Sequence, residues 1–131
     1  MKESREHLVP LSHPAVSLLK RIKSYNWNNQ WLFPGNSGNG PSEGPLFKNT
    51  MLKMKYSPDQ VQPHGFRSTF ITHANESGLW NRRAIEWVLA HVEANEVRGA
   101  YNRAQYLNER RRLLQWWADQ LDEAHAKSMA L

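Results

Sequence analysis

Residues 63–91, PHGFRSTFITHANESGLWNRRAIEWVLAH, decide the fold of this 131-residue chain. Phe66, Phe70 and Ala74 recur at helical spacing after Pro63, and Gly78 is a natural carboxyl-terminal stop. Asn81 then caps a second helix whose apolar stripe is Ala84, Ile85, Val88 and Leu89. Further on, the pattern predicts a helix starting near Asn95 that carries Val97 and Tyr101. A last helix from about Leu107 places Leu107, Leu114, Trp117 and Leu121 on one face, with Arg110, Arg111 and Arg112 near its start as a solvated or DNA-facing run. Working back from Pro63, Ser57-Pro58-Asp59 signals a turn and Phe47 to Lys55 a short helix. Ser12 caps a helix from Pro14 to about Lys23, with Val16, Leu19 and Ile22 as its inner positions. His7-Leu8-Val9 reads as a strand stopped by Pro10, which cannot donate to a ladder.

Between these helices, the segment from Pro34 to Pro45 holds four glycines and three prolines and is expected to be an exposed loop. Its Gly35, Gly38 and Gly40 do not make a phosphate cradle. The dinucleotide fingerprint needs a strand before it and a helix after it, and a P-loop needs a GK[ST] ending that is absent.

A length of 131 residues with 40% hydrophobic and 22% charged side chains supports one domain, residues 1–131. No run of 18 apolar residues and no secretory apolar core occurs, so the expectation is a cytoplasmic protein without a membrane partner. Zero cysteines exclude a disulfide framework, thiol catalysis and Cys-based zinc sites. Seventeen Lys and Arg against twelve Asp and Glu leave a formal charge of +5, which favours a polyanionic partner. Residues 1–63 carry eight basic and four acidic side chains, and 64–131 carry nine and eight. From Leu113 onward acidic groups outnumber basic ones, so the carboxyl-terminal end suits protein contacts better than a phosphate backbone.

The chemistry-bearing residues start with His64-Gly65-Phe66-Arg67. An imidazole and a guanidinium stand one turn apart at a helix start, where an anion is favoured. A lone HxxR tetrad is a weak motif, and its surroundings decide. His91, in Leu89-Ala90-His91, follows Arg67 by 24 residues, and Tyr101, in Ala100-Tyr101-Asn102, follows His91 by ten. HGFR, LAH and AYNRA in this order, with HLVPLS upstream and ERRRLLQWWADQLD downstream, resemble the carboxyl-terminal part of the catalytic domain of tyrosine recombinases. The branch resembled is that of phage and genomic-island integrases, and the resemblance covers nearly the whole chain.

That resemblance implies a mainly α fold with a small β-hairpin, part of the DNA breaking-rejoining catalytic fold. It implies site-specific recombination that integrates and excises a mobile element or prophage. A tyrosine attacks a phosphodiester and leaves a 3′-phosphotyrosine. Tyr101 matches the nucleophile, ahead of Tyr106. Arg67 matches a phosphate-clamping arginine, His91 a second donor, and His64 a histidine that either helps deprotonate the tyrosine or contacts the phosphate. Lys2 matches the lysine that protonates the departing 5′-oxygen from the hairpin. Lys2, Arg67 and Arg103 are the residues expected against DNA. No cofactor or metal is expected. Expected partners are double-stranded DNA attachment sites and further copies of the same chain, four in the full enzyme.

The chain departs from the family pattern in one respect. The family carries another arginine, followed by a carboxylate, upstream of the lysine hairpin, and this sequence has no match for them. The expectation is therefore a carboxyl-terminal portion of the catalytic domain, inactive alone. Two other readings remain, a non-catalytic basic DNA-binding module and a helical protein-interaction module. The first gives no reason for a tyrosine ten residues after His91, and the second predicts no DNA binding even at low salt.

Overall fold

The computed structural model describes residues 7–26, 28–35, 37–42, 46–89 and 106–130. Among them the chain forms α1 (His13–Tyr25), α2 (Leu46–Lys53), α3 (Pro63–Glu76), α4 (Arg82–Val88) and α5 (Leu107–Met129). These bounds lie close to those that apolar spacing, caps and stops predict. The helix expected near Asn95 falls outside the described residues.

Two compact units divide the chain, one made of Met1–His13 with Phe70–Leu131, the other of Pro14–Thr69. The boundary crosses α3, so each unit takes half of that helix.

In the first unit, Phe70 and Ala74 of α3, Ile85 of α4 and Leu113 of α5 make a buried cluster. Trp80, Trp116 and Trp117 pack against it, with Phe70 and Trp117 edge to face at 5.6 Å. Gly78 ends the α3 segment in the left-handed conformation, φ 65°, which a Cβ would disfavour. Three residues later the side chain of Asn81 accepts from the Arg83 N–H at 2.9 Å and starts α4.

The buried seam of α5 differs from the expected one. It runs through Arg110, 1% exposed, and Leu113, 0% exposed, and on to the half-buried Trp117, whereas Leu121 is 50% exposed. A seam counted from apolar residues alone is displaced, because the aliphatic stem of an arginine packs like a hydrocarbon. The run Arg110 to Arg112 is thus no uniform solvated face. Arg111 and Arg112 are exposed, and Arg110 is core. In α4, Trp87 joins Ala84 and Ile85 among the buried residues, a member that the expected stripe omits.

The strand expected at His7 to Val9 is not formed. Residues 7–12 have no regular structure, and the Leu8 carbonyl accepts from the Arg110 guanidinium instead of a neighbouring strand. The small β-hairpin is therefore not shown. Among the described residues the β pairing consists of one isolated bridge, Pro34 with Pro41. A little further on, the Gln115 side-chain carbonyl accepts from the His13 N–H at 2.9 Å, holding the first residue of α1 against α5.

In the second unit, α1 turns Val16, Leu19 and Ile22 to its half-buried side. The expected loop from Pro34 is held by Gly35 N–H to the Gly40 carbonyl, 2.9 Å, and Ser42 N–H to the Phe33 carbonyl, 2.7 Å. After α2, Lys55 takes φ 65°, and the Ser57 carbonyl closes the next turn by accepting from Gln60 N–H at 3.0 Å. Phe66, expected on the inner face of α3, is 53% exposed and meets the Phe47 ring edge-on at 5.6 Å. Among the described residues no helix is long and apolar enough to cross a membrane.

Candidate functional site

Pro63 opens α3, where a missing N–H costs nothing because the first turn has no intrahelical acceptor. His64 lies in that first turn, exposed, and Arg67 follows one turn later, half-buried. Positions three apart share a helix face, so imidazole and guanidinium rise from the same side of the amino-terminal end of α3. The local backbone is secured by short-range bonds. Gly65 N–H donates to the Gln62 carbonyl at 2.9 Å, Ser68 Oγ to the His64 carbonyl at 3.2 Å, and Thr69 Oγ1 to the Gly65 carbonyl at 2.8 Å.

Beside His64 the surface sinks into a hollow of about 440 Å³, whose walls include Lys48, Met51, Tyr56 and Val61. Among the described residues its charged and titratable lining is Lys48, Tyr56 and His64, with no carboxylate. Lys48 was not singled out by sequence, since a lysine on a short surface helix carries no motif. Only folding α2 beside the start of α3 brings it to the same hollow as His64.

The distribution of charge is more telling than its total. Residues 14–69 hold seven Lys and Arg against two Asp and Glu, a formal +5 equal to the excess of the whole chain. The other unit balances, with ten of each sign. His64 and Arg67 therefore stand in the unit that carries all the net positive charge. Such a field favours phosphate, and the guanidinium fork of Arg67 suits two phosphate oxygens.

Of the expected site residues, the structure brings together His64 and Arg67. Lys2, His91, Tyr101 and Arg103 lie outside the described residues. Among the described residues no group of three His, Cys, Asp or Glu is placed to hold a metal ion.

Comparison with known proteins gives the chain its family. Residues 1–108 match the model of the phage integrase family, and the chain belongs to that family. It is 40% identical over 134 residues to the integrase of Enterobacteria phage P4, covering 100% of this chain and 30% of the relative. It is 38% identical to prophage integrase IntA of Escherichia coli K12, covering 100% of this chain and 32% of that protein. To the putative protein IntB of the same strain it is 42% identical over 122 residues, 88% of this chain and 30% of the relative. The chain thus spans about 30% of the length of the curated relatives it matches. No solved structure matches it.

Proposed function

We propose that the chain forms the carboxyl-terminal part of an integrase catalytic domain and serves site-specific recombination of double-stranded DNA. The observation that carries this reading is the pair His64 and Arg67 on one face at the start of α3, in the unit that holds the whole formal charge. Membership of the phage integrase family supports it.

In the proposed reaction the Tyr101 oxygen attacks the scissile phosphorus, forming a phosphotyrosyl bond as the bond to the 5′-oxygen breaks. The phenolic proton leaves to His64 or to water, and Lys2 gives a proton to the departing 5′-oxygen, which would otherwise leave as a poor alkoxide. Arg67 and His91 donate to the non-bridging oxygens, where charge accumulates in the transition state. Because the phosphate remains esterified to the protein, a second 5′-hydroxyl reverses the step without an outside energy source. No metal or cofactor takes part in this scheme, and Arg103 serves DNA contact.

Other features support a part of a larger domain. Among the described residues between 14 and 69 no side chain is buried, while Phe47, Leu52, Met54 and Phe66 stand exposed. A unit with so little core is completed by further polypeptide, which fits a chain spanning about 30% of its relatives. Alone, the chain cleaves DNA poorly or not at all, because one of two phosphate-clamping arginines has no counterpart in it.

The test joins the chain to the upstream portion of the phage P4 integrase and offers it a nicked attachment-site duplex. Covalent protein–DNA adduct from the joined protein, with little or none from the chain alone, is the expected result. Abundant adduct from the chain alone contradicts the proposed inactivity, and no adduct from either contradicts the recombinase reading.

A further inference from the structure

The hollow beside His64 has no task in the proposed reaction, yet its walls are held in place by the backbone around them. At the end of α2, Lys55 takes φ 65°, Tyr56 N–H donates to the Met51 carbonyl at 3.1 Å, and Lys55 N–H donates to the Leu52 carbonyl at 3.0 Å. This is the Schellman arrangement, which turns the chain back on the helix it leaves and sets Tyr56 beside Met51. The turn that follows is fixed as well. The Ser57 carbonyl accepts from Gln60 and Val61 N–H at 3.0 and 3.1 Å, and the Gln60 side-chain carbonyl accepts from Ser57 N–H and Oγ, each at 3.0 Å. Phe47 and Phe66, edge to face at 5.6 Å, join α2 to the start of α3, so Lys48 and His64 line one hollow.

Two properties of the lining limit what the hollow can take. The walls of Met51, Leu52, Tyr56 and Val61 gain by burying an apolar surface. Lys48 and His64, with no carboxylate among the described lining and a formal +5 on residues 14–69, favour an anion. An apolar polypeptide side chain meets the first condition and would leave the Lys48 ammonium desolvated without a partner. Paired duplex DNA meets the second alone, because its base faces are stacked inside and its outer surface is phosphate and sugar. A single unstacked nucleotide meets both, with flat faces for the apolar walls and a phosphate for the lysine. The volume of about 440 Å³ is at the small end of the range of ligand pockets, about 300–1,000 Å³, and suits one such unit.

We propose that the hollow between α2 and the start of α3 receives one unpaired nucleotide of the DNA strand, its base against Met51, Tyr56 and Val61 and its phosphate on Lys48. This deepens the recombination reading and rests on it: replacing one 5′-hydroxyl end by another requires the first to part from its complement, so the proposed reaction itself produces an unpaired end. Lys48 and Tyr56 bind the strand and take no part in bond breaking.

The chain alone is titrated with two DNAs, a fully paired duplex and the same duplex with a short unpaired 5′ flap that carries 2-aminopurine. The flap DNA binds about tenfold more tightly, within the range that one base stacked on an aromatic side chain contributes, and 2-aminopurine emission falls as its base meets the Tyr56 ring. Tyr56 is 44% exposed and Lys48 is exposed, so substitutions at both leave the fold intact. Tyr56→Ala abolishes the flap preference and the quenching while affinity for the paired duplex stays, and Tyr56→Phe retains both. Lys48→Gln lowers the slope of log K against log salt for the flap DNA by about 0.7, the share of one single-strand phosphate.

A flap preference that survives Tyr56→Ala, or a salt slope that Lys48→Gln leaves unchanged, overturns the proposal and leaves the DNA reading standing. No binding to either DNA at the lowest salt defeats that reading along with it. The chain joined to the upstream part of the phage P4 integrase provides the last comparison. The same quenching there supports the proposal, whereas quenching seen with the chain alone and lost in the joined protein gives the hollow to upstream polypeptide and overturns it.

Discussion

The carboxylate of Glu109 accepts from the backbone N–H of Asn81 at 2.8 Å, so the first turn of α5 caps the entry to α4. Asn81 in turn accepts at its own side chain from Arg83 N–H. One residue thus receives support from α5 and passes it to α4, which at seven residues is too short to be stable by propensity alone. Asn81→Ala removes the side-chain cap and lowers unfolding stability by about 1 kcal/mol. Glu109→Ala leaves the Asn81 N–H to water and costs a similar amount, about 1 kcal/mol. Urea midpoints check both, and midpoints equal to the parent protein's would show that α4 does not depend on this junction.

Leu113 sits at the centre of the core cluster, whereas Leu121, on the same helix, is half exposed. Leu113→Ala is expected to cost about 2–5 kcal/mol through lost burial and the cavity left behind. Leu121→Ala stays within about 0.5 kcal/mol. Comparable losses at the two positions, read from the same urea titrations, would place the seam of α5 where apolar spacing alone predicts it.

That seam shows what sequence reading reaches and where it stops. Local signals carried well: Gly78 ends its helix, Asn81 caps the next, and the glycines and prolines after Pro34 make a loop, because each acts within a few residues of itself. Arg110 was misplaced because its partner, the Leu8 carbonyl, lies 102 residues away, and no spacing rule links the two. His7-Leu8-Val9, strand-like in composition, has no neighbouring strand to pair with among the described residues. Within the candidate site, His64 and Arg67 could be paired from sequence since both belong to one helix. Lys48 reaches the hollow by His64 through tertiary folding only.

The charge held by residues 14–69 leads to a prediction about binding. Affinity of the chain for duplex DNA should fall steeply with salt, with a slope of log K against log salt of about −0.9 for each phosphate contacted. Three contacts give about a 40-fold loss between 50 and 200 mM salt by that relation. Fluorescence anisotropy with a labelled duplex measures it. A flat response would exclude phosphate contacts, and no binding at the lowest salt would favour a protein-interaction module.

Arg67→Ala in the joined protein should lower the cleavage rate by about 10²–10³, the usual cost of one transition-state donor. Arg67→Lys restores only a small part, since an ammonium cannot offer two parallel N–H groups to one phosphate. Single-turnover cleavage at saturating DNA reads the effect on the chemical step. Full activity in Arg67→Lys would reduce the role of Arg67 to charge alone.

The central claim is that the phenol of Tyr101 attacks the phosphate that Arg67 and His91 receive. Its most direct measurement is peptide mass spectrometry of the covalent adduct formed by the joined protein on a nicked duplex. The account predicts a nucleotide-bearing peptide that contains Tyr101 and no adduct in Tyr101→Phe. An adduct that persists in Tyr101→Phe, or one that maps to Tyr106, would contradict it.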